Sequence, residues 1–195
     1  MDLVAGPQGS GKSTFFPVSG RGHDAFNIDD HRKKLNDGSS QNISVAIQKK
    51  ATADYEAFVE GHIRKKTSFS MEVTLAKEIT FDQARRARRA GLAVHLTYIA
   101  ANLADCIERM ANRIELGGHG VKLSVLENTY AVSMGNLKRA IREFDIVLVY
   151  DNSGRAQPED AFDGSMPRHV MEAAAGAITC KAPNMPRWLT AALHG

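Results

Sequence analysis

The sequence is poor in the features on which secreted and membrane proteins depend. Its 195 residues include two cysteines, Cys106 and Cys180, which lie far apart without a CxxC spacing, so neither a disulfide framework nor a zinc site is expected. We predict that both cysteines are buried. The longest apolar stretch, Leu92–Ala101, is interrupted by polar residues and is much shorter than the ~20 residues of a membrane span. The amino terminus lacks a basic and apolar leader, which favours a cytoplasmic protein with no membrane partner.

The chain also lacks a large excess of charge of either sign. The formal net charge is +3 at pH 7, which suits an anionic small molecule as well as a polynucleotide. The densest basic cluster, Arg85–Arg89, has no aromatic residue between its arginines that could stack on bases. We interpret the cluster as a solvated helix face and expect no nucleic-acid partner.

Short apolar runs alternate with segments of helical period, which is typical of an α/β domain with a parallel sheet. Five runs are predicted to be strands: Asp2–Ala5, Asp24–Ile28, Thr67–Val73, Ala93–Ala100 and Asp145–Tyr150. Four helices are predicted at about Ile43–Phe58, Lys77–Ala90, Leu103–Ile114 and Leu126–Phe144. After Tyr150 the pattern predicts a small hairpin and a terminal helix around Trp188. We expect a single domain over residues 1–195, with a core at 1–154 and a C-terminal extension at 155–195.

The strongest motif directly follows the first strand. The segment Gly6-Pro7-Gln8-Gly9-Ser10-Gly11-Lys12-Ser13 matches GxxxxGK[ST], a pattern that a chain of this length shows by accident about one time in a hundred. Its setting between a strand and a helix start is the one that a phosphate-binding P-loop requires. The residues predicted to bind the nucleotide are Gly6, Gly9, Ser10, Gly11, Lys12, Ser13 and Thr14.

Each residue type in the loop has a chemical reason to be there. The glycines allow positive φ, so that backbone N–H groups can surround a phosphate. Lys12 would reach the β and γ phosphates of ATP, and the Ser13 hydroxyl would bind Mg²⁺. Pro17 predicts that the helix after the loop stops early or kinks. Because the chain has no NKxD guanine signature and no room for the lid domain of a motor ATPase, a small kinase is the favoured class.

Acidic residues follow two of the predicted strands. Asp29 and Asp30 come after the second strand, at the edge where parallel sheets bind ligands. A carboxylate there can accept the proton of a substrate hydroxyl, and we assign that role to Asp29 and a helix cap to Asp30. Glu72 and Thr74 end the third strand on one face. A charged residue in a buried strand is costly unless it binds a ligand or Mg²⁺.

Two arginines precede a glycine-rich loop. Arg109 and Arg113 lie one helical turn apart, as a closing lid that neutralises a transferring phosphoryl group would need, although solvated surface arginines are the alternative. We expect Arg113 to be catalytic and Arg109 to bind the nucleotide. In the loop itself, His119 is a candidate phosphate contact, whereas His31 is predicted to be solvated.

In order and spacing, these motifs resemble the zeta-toxin family of P-loop kinases over about Leu3–Gly154. The matching residues are the P-loop with Thr14, Asn27-x-Asp29-x-x-Arg32, Glu72-x-Thr74, Arg113 with Gly117-Gly118-His119-x-Val121, and Asp151-Asn152-Ser153. The resemblance implies a P-loop kinase fold, and phosphorylation of the sugar 3′-hydroxyl of UDP-N-acetylglucosamine with ATP and Mg²⁺. It also implies an antitoxin protein as a partner.

The resemblance assigns roles by position. It makes Asp29 the general base, with Lys12 and Arg113 as catalytic residues on the phosphates. The implied substrate-binding residues are Asp29, Arg32, Glu72, Thr74 and His119. Asn152 is an implied nucleotide contact outside the loop, in addition to Arg109, which the helix position predicted above. Ser13 would hold Mg²⁺.

Two other functions stay open at this point. Ala76 and Lys122 differ from the residues usual in the family, so the acceptor could be an antibiotic, another sugar or a nucleoside. A nucleotide-binding or nucleic-acid-binding module without catalytic activity is the second alternative. The first is distinguished by which hydroxyl compound promotes ADP release, and the second by ATP binding without turnover or by salt-sensitive DNA binding.

Overall fold

The computed structural model describes residues 1–118, 120–154 and 166–194. Its strands are β1 (Asp2–Ala5), β2 (Asp24–Phe26), β3 (Phe69–Val73), β4 (His95–Ala100), β5 (Ile146–Asp151), β6 (Arg168–Ala174) and β7 (Ala177–Lys181). Its helices are α1 (Lys12–Phe15), α2 (Ile28–Leu35), α3 (Val45–Lys65), α4 (Glu78–Arg89), α5 (Leu103–Glu115), α6 (Leu123–Glu143) and α7 (Arg187–His194).

The strands form one sheet in the order β2-β3-β1-β4-β5-β6-β7. The five predicted strands, β1 to β5, run parallel, whereas β6 pairs antiparallel with β5, and β7 with β6. The prediction of a five-stranded parallel sheet is therefore corrected: the sheet is seven-stranded and mixed. The predicted C-terminal hairpin does form, but it joins the sheet, because β5 would otherwise present an edge of unpaired N–H and C=O groups.

The first strand, β1, lies between β3 and β4 and is buried on both faces. Leu3 and Ala5 pack into a large cluster with side chains of α3, α4, α6 and α7, while Val4 packs on the opposite face with Val18 and Ile99. Because strand side chains alternate between faces, a strand covered on both sides must be apolar throughout. The carboxyl end of β1 opens where the connections diverge to either side of it, and open α/β sheets bind ligands at such points.

The chain turns from strand to helix earlier after β2 than the sequence suggested. β2 ends at Phe26 instead of Ile28, and α2 begins at once because Asn27 caps it. The Asn27 side chain accepts hydrogen bonds from the N–H groups of Asp29 and Asp30, at 2.9 and 3.3 Å. In contrast, α1 is the single turn that Pro17 predicted.

Two predictions about single residues are wrong. Cys106 is buried as expected, but Cys180 is exposed, because it lies on β7, the outer strand of the sheet. His31 is half-buried instead of solvated, and its Nε2 lies 2.9 Å from Oδ2 of Asp54.

The basic cluster of α4 is tied to its neighbours by ion pairs. Arg85 donates to Glu143 of α6 at 2.8 Å, and Arg86 contacts Glu60 of α3. These pairs hold α4 between the two longest helices and neutralise part of the positive charge that suggested nucleic acid. Among the described residues, none of the helices combines the length and apolar character needed to cross a membrane.

Asp151, the last residue of β5, connects the core to the C-terminal segment. Its Oδ1 accepts hydrogen bonds from Nε1 of Trp188 at 3.0 Å and from Oγ of Ser153 at 2.6 Å, and its Oδ2 lies 3.3 Å from the guanidinium of Arg168. Burial raises the pKa of the Asp151 carboxyl, but these donors outweigh it and hold the pKa below its ordinary value. Such a carboxylate stabilises the fold above its ordinary pKa, and the stabilisation is lost as the pH falls through the lowered value.

We predict that Asp151→Ala lowers the free energy of unfolding at pH 7 by about 2–3 kcal/mol, because hydrogen bonds to a charged group are lost. The difference from the parent protein should be smaller at about pH 3, because below the ordinary carboxyl pKa of about 4 the unfolded chain takes up a proton that the folded carboxylate resists. Chemical denaturation at the two pH values measures both effects. Glu127→Ala, which removes an exposed carboxylate from α6, is the control, and an equal loss at both pH values would contradict the assignment.

Candidate active site

The P-loop joins β1 to α1 in the conformation that its glycines predicted. Gly6, Gly9 and Gly11 have φ of 146°, 76° and 93°. A Cβ on Gly6 would lie 1.9 Å from the carbonyl oxygen of Ile99 in β4, so this position needs glycine for space as well as for φ. The loop is thereby held against the neighbouring strand. Because α1 has only four residues, an anion in this loop would be held more by the N–H groups of the loop than by a helix dipole.

Lys12 lies inside this loop, with 8% of its surface exposed. Its Nζ donates to the carbonyl oxygens of Gly6 and Pro7, both at 2.9 Å. Burial lowers the pKa of Lys12, and the nearby carboxylate of Glu72 opposes that shift. The ammonium group is therefore already placed at the loop, with carbonyl oxygens occupying the positions that phosphate oxygens could take.

Ser13 and Glu72 meet across the end of the sheet. The Ser13 Oγ donates to Oε2 of Glu72 at 2.8 Å. Glu72 lies in β3, which pairs with β1, and Thr74 is the first residue after β3. Glu72 was predicted to bind either a ligand or Mg²⁺. Its contact with the Ser13 hydroxyl, which is the predicted Mg²⁺ ligand, places its carboxylate beside the predicted Mg²⁺ position. Hydroxyl and carboxylate oxygens suit Mg²⁺, and in the described residues no group of three or more His, Cys, Asp or Glu side chains is arranged to hold a metal without phosphate or water.

Arg109 and Asn152 lie behind the loop. Arg109 donates to the carbonyl of Gly9 at 3.1 Å and to that of Asn152 at 2.6 Å. Asn152 is 2% exposed, and its Nδ2 donates to the carbonyl of Ser10 at 2.9 Å. Both residues were predicted to contact the nucleotide, and both contact the backbone of the loop that would hold it. Ser10 is buried, and its hydroxyl has no hydrogen-bond partner among the residues that the structure describes.

The acidic pair lies on α2 and not on a strand. Asp29, with 69% of its side chain exposed, accepts a hydrogen bond from Arg32 at 3.0 Å, and its charge is close enough to act on Lys12. Asp30 is exposed in the first helical turn. The prediction that Asp30 caps the helix is wrong, because the side chain of Asn27 does so.

A cavity of about 210 Å³ opens beside Asp29 and Arg32. Its remaining lining residues, Ser40, Ile43 and Gln48, come from the loop between α2 and α3 and from the start of α3. None of these three was predicted, and no sequence motif marks them. A larger cavity, of about 560 Å³, lies at the opposite ends of β2 and β3 and contains none of the predicted residues.

Arg113 lies in the last turn of α5 and is exposed. Its charge contributes to the lowered pKa of Lys12, so it lies within electrostatic reach of the loop. Arg109 and Arg113 share a helix but differ in surroundings, since Arg109 is half-buried behind the loop. Thr14 is exposed in α1. His119 lies outside the described residues.

The family model for the zeta toxin matches residues 1–158 of the chain. The chain belongs to the zeta toxin family. An uncharacterized protein of Haemophilus influenzae is 28% identical over 133 residues, which are 66% of this chain and 90% of that protein.

Solved structures agree with this zeta toxin assignment at the level of the fold. The AvrRxo1-ORF1:-ORF2 complex with ATP is similar with a TM-score of 0.65 at 15% identity, over 91% of this chain and 59% of that one. A structure from the PezAT toxin–antitoxin system of Streptococcus pneumoniae gives 0.58 at 16% identity, over 78% and 68%. The zeta toxin chain thus has the predicted P-loop kinase fold, and it spans 59% of the AvrRxo1 chain.

The close approach of Gly6 to β4 leads to a stability prediction. We expect Gly6→Ala to lower the free energy of unfolding by at least about 2 kcal/mol more than Gly20→Ala. Both glycines have positive φ, but a Cβ on Gly20 would meet no atom within 4 Å, so Gly20→Ala isolates the backbone strain. Urea denaturation of the two variants measures the difference. Equal destabilisation would mean that the loop can move away from β4 at little cost.

Proposed function

We propose that the protein is an ATP-dependent kinase that transfers the γ-phosphoryl group to a sugar hydroxyl, with UDP-N-acetylglucosamine as the favoured acceptor. The observation that carries the proposal is the placement of Asp29, on a cavity and within electrostatic reach of the Lys12 ammonium in the P-loop. A carboxylate beside a phosphate site is what phosphoryl transfer to an alcohol requires. The acceptor is chosen from the family resemblance.

At the nucleotide end, the P-loop would bind the phosphates of ATP. The Lys12 Nζ would exchange the carbonyls of Gly6 and Pro7 for β- and γ-phosphate oxygens, and Arg109 and Asn152 would keep the loop in place behind them. Mg²⁺, when bound, would neutralise charge on the phosphates. Ser13 would hold the ion, and Glu72 would orient the Ser13 hydroxyl by accepting its hydrogen bond. The ATP-bound AvrRxo1 structure supports nucleotide binding by this fold.

At the acceptor end, Asp29 would serve as the general base. The hydroxyl oxygen forms a bond to the γ-phosphorus, the bond from that phosphorus to the oxygen of the leaving ADP breaks, and the hydroxyl proton passes to Asp29. Arg32 would hold the carboxylate in position, since it already donates to it. Arg113 would approach the transferring group as charge builds on its oxygens, and Thr74 would contact the acceptor.

The size of the cavity supports an alternative acceptor. About 210 Å³ accommodates a single sugar ring, so the uridine diphosphate of UDP-N-acetylglucosamine would extend beyond it. A smaller sugar or polyol would fill the cavity alone. Comparing ADP release with UDP-N-acetylglucosamine, N-acetylglucosamine and uridine distinguishes the two.

We also propose an antitoxin as protein partner and a toxin–antitoxin role. The support is membership of the zeta toxin family and the likeness to a chain of the PezAT toxin–antitoxin system.

Lys12→Ala tests the nucleotide half of the proposal. We expect ATP binding and turnover to be lost while the fold is kept, because Lys12 is the only basic side chain that the loop supplies. Titration with a fluorescent ATP analogue and an assay of ADP release measure the two effects. Lys49→Ala, which removes an exposed lysine from α3, should behave like the parent, and turnover by Lys12→Ala at the parent rate would exclude a P-loop kinase.

Asp29→Asn and Asp30→Asn test the base. Positioned general bases contribute roughly 10²–10⁴-fold, so Asp29→Asn should lower kcat by about that factor with ATP affinity unchanged. Asp30→Asn is the matched control: it leaves the cap by Asn27 intact and should change kcat little, with a stability loss of about 0.3–1 kcal/mol from the helix dipole. Steady-state kinetics with urea denaturation measure both, and an inactive Asp30→Asn beside an active Asp29→Asn would reverse the assignment.

A further inference from the structure

The loop between α2 and α3, residues 36–44, is held in shape by its own hydrogen bonds. The amide of Asn36 donates to the carbonyls of Ser39 and Gln41, at 3.0 and 2.8 Å. The N–H of Gln41 in turn donates to Oγ of Ser39 at 3.1 Å. A loop bonded in this way moves as a unit, so a displacement of one side is passed to the other.

Two sides of this loop face different parts of the site. Ser40 and Ile43 line the cavity that also contains Asp29 and Arg32. Gln41, which lies between them in sequence, instead donates from Nε2 to the carbonyl of Gly117 at 3.2 Å. This bond joins segments that are 76 residues apart, and it connects the wall of the acceptor cavity to the turn after α5.

The turn that receives this bond also positions Arg113. The N–H of Gly117 donates to Ile114 and that of Gly118 to Arg113, at 2.9 and 2.8 Å. A Cβ on Gly118 would lie 2.6 Å from Cγ of Arg113, so the turn lies directly against the aliphatic part of the arginine. Displacement of the turn therefore displaces the guanidinium relative to the P-loop.

We propose that Gln41 is a positioning residue that couples occupancy of the acceptor cavity to the placement of Arg113. An acceptor that presses on Ser40 and Ile43 shifts the loop, Gln41 transmits the shift to Gly117, and Arg113 is thereby brought closer to the transferring group than nucleotide binding alone brings it. Such coupling would limit the transfer of phosphate to water. The inference rests on the proposed kinase function and adds to it a control on when Arg113 acts.

Coupling between two sites is reciprocal. Nucleotide binding, which would draw Arg113 toward the phosphates, should therefore also steady the loop of residues 36–44, even with no acceptor present. This consequence can be measured without knowing the acceptor.

The experiment is hydrogen–deuterium exchange of the parent protein with and without a non-hydrolysable ATP analogue and Mg²⁺. In the parent, the analogue should slow exchange in the turn after α5 and in residues 36–44. Gln41→Ala removes the side-chain amide, and Gln41→Glu keeps its shape but removes the donor. In both variants, the protection that the analogue gives to residues 36–44 should fall about 3- to 10-fold, as expected for one hydrogen bond. Protection of the P-loop should stay. Asn128→Ala, an exposed amide on α6, is the control.

A second measurement uses UDP-N-acetylglucosamine as the probe. In the parent it should tighten binding of the ATP analogue, and Gln41→Ala should remove that tightening while the affinity for each ligand alone stays the same. A residue with only a structural role would change the separate affinities instead.

The outcomes separate the two proposals. If the analogue does not bind the parent protein, the kinase function is wrong and the coupling falls with it. If it binds and residues 36–44 are protected equally in the parent and in Gln41→Ala, the coupling alone is wrong. If UDP-N-acetylglucosamine does not bind, the acceptor is wrong, and the exchange experiment still decides the role of Gln41.

Discussion

The buried ammonium group of Lys12 is the constraint on which this end of the molecule depends. A charge so far from water is costly unless it is hydrogen-bonded, and the carbonyls of Gly6 and Pro7 supply the bonds. Those carbonyls point inward only because the loop has backbone conformations that glycine permits. The loop is thus arranged around a positive charge before any anion is present, which reduces the reorganisation that binding a phosphate would require.

Neighbouring elements complete this arrangement from two sides. Glu72, at the end of β3, supplies negative charge near the ammonium and accepts a hydrogen bond from the Ser13 hydroxyl. On the other side, Arg109 and Asn152 bind the loop backbone. The P-loop is therefore supported by β3, by α5 and by the chain after β5, all of which are anchored in the core. Its contacts with Glu72 and Arg109 end on regular secondary structure, which favours a fixed geometry of the loop.

The proposed acceptor side is built differently. Asp29 and Arg32 lie on a short helix, and the remaining wall of the cavity is a loop and the start of α3. Loops tolerate substitution better than the strands and helices they connect. A single P-loop scaffold could therefore serve different acceptors if this wall changed, and the proposed role of Gln41 places the control of transfer in the same loop.

The sequence by itself determined the five parallel strands, the P-loop with its positive φ, and the short α1, because these follow from local periodicity, from glycine and from proline. The predictions for the burial of Cys180, for the exposure of His31 and for the cap of α2 were wrong. The predicted sheet also lacked the two strands of the C-terminal hairpin. Only the tertiary structure decided that Arg109 and Asn152 hold the loop from behind and that Gln41 reaches Gly117. These contacts join residues up to 142 positions apart, and pairings at such distances depend on how the whole chain folds and leave no periodic or motif signal along it.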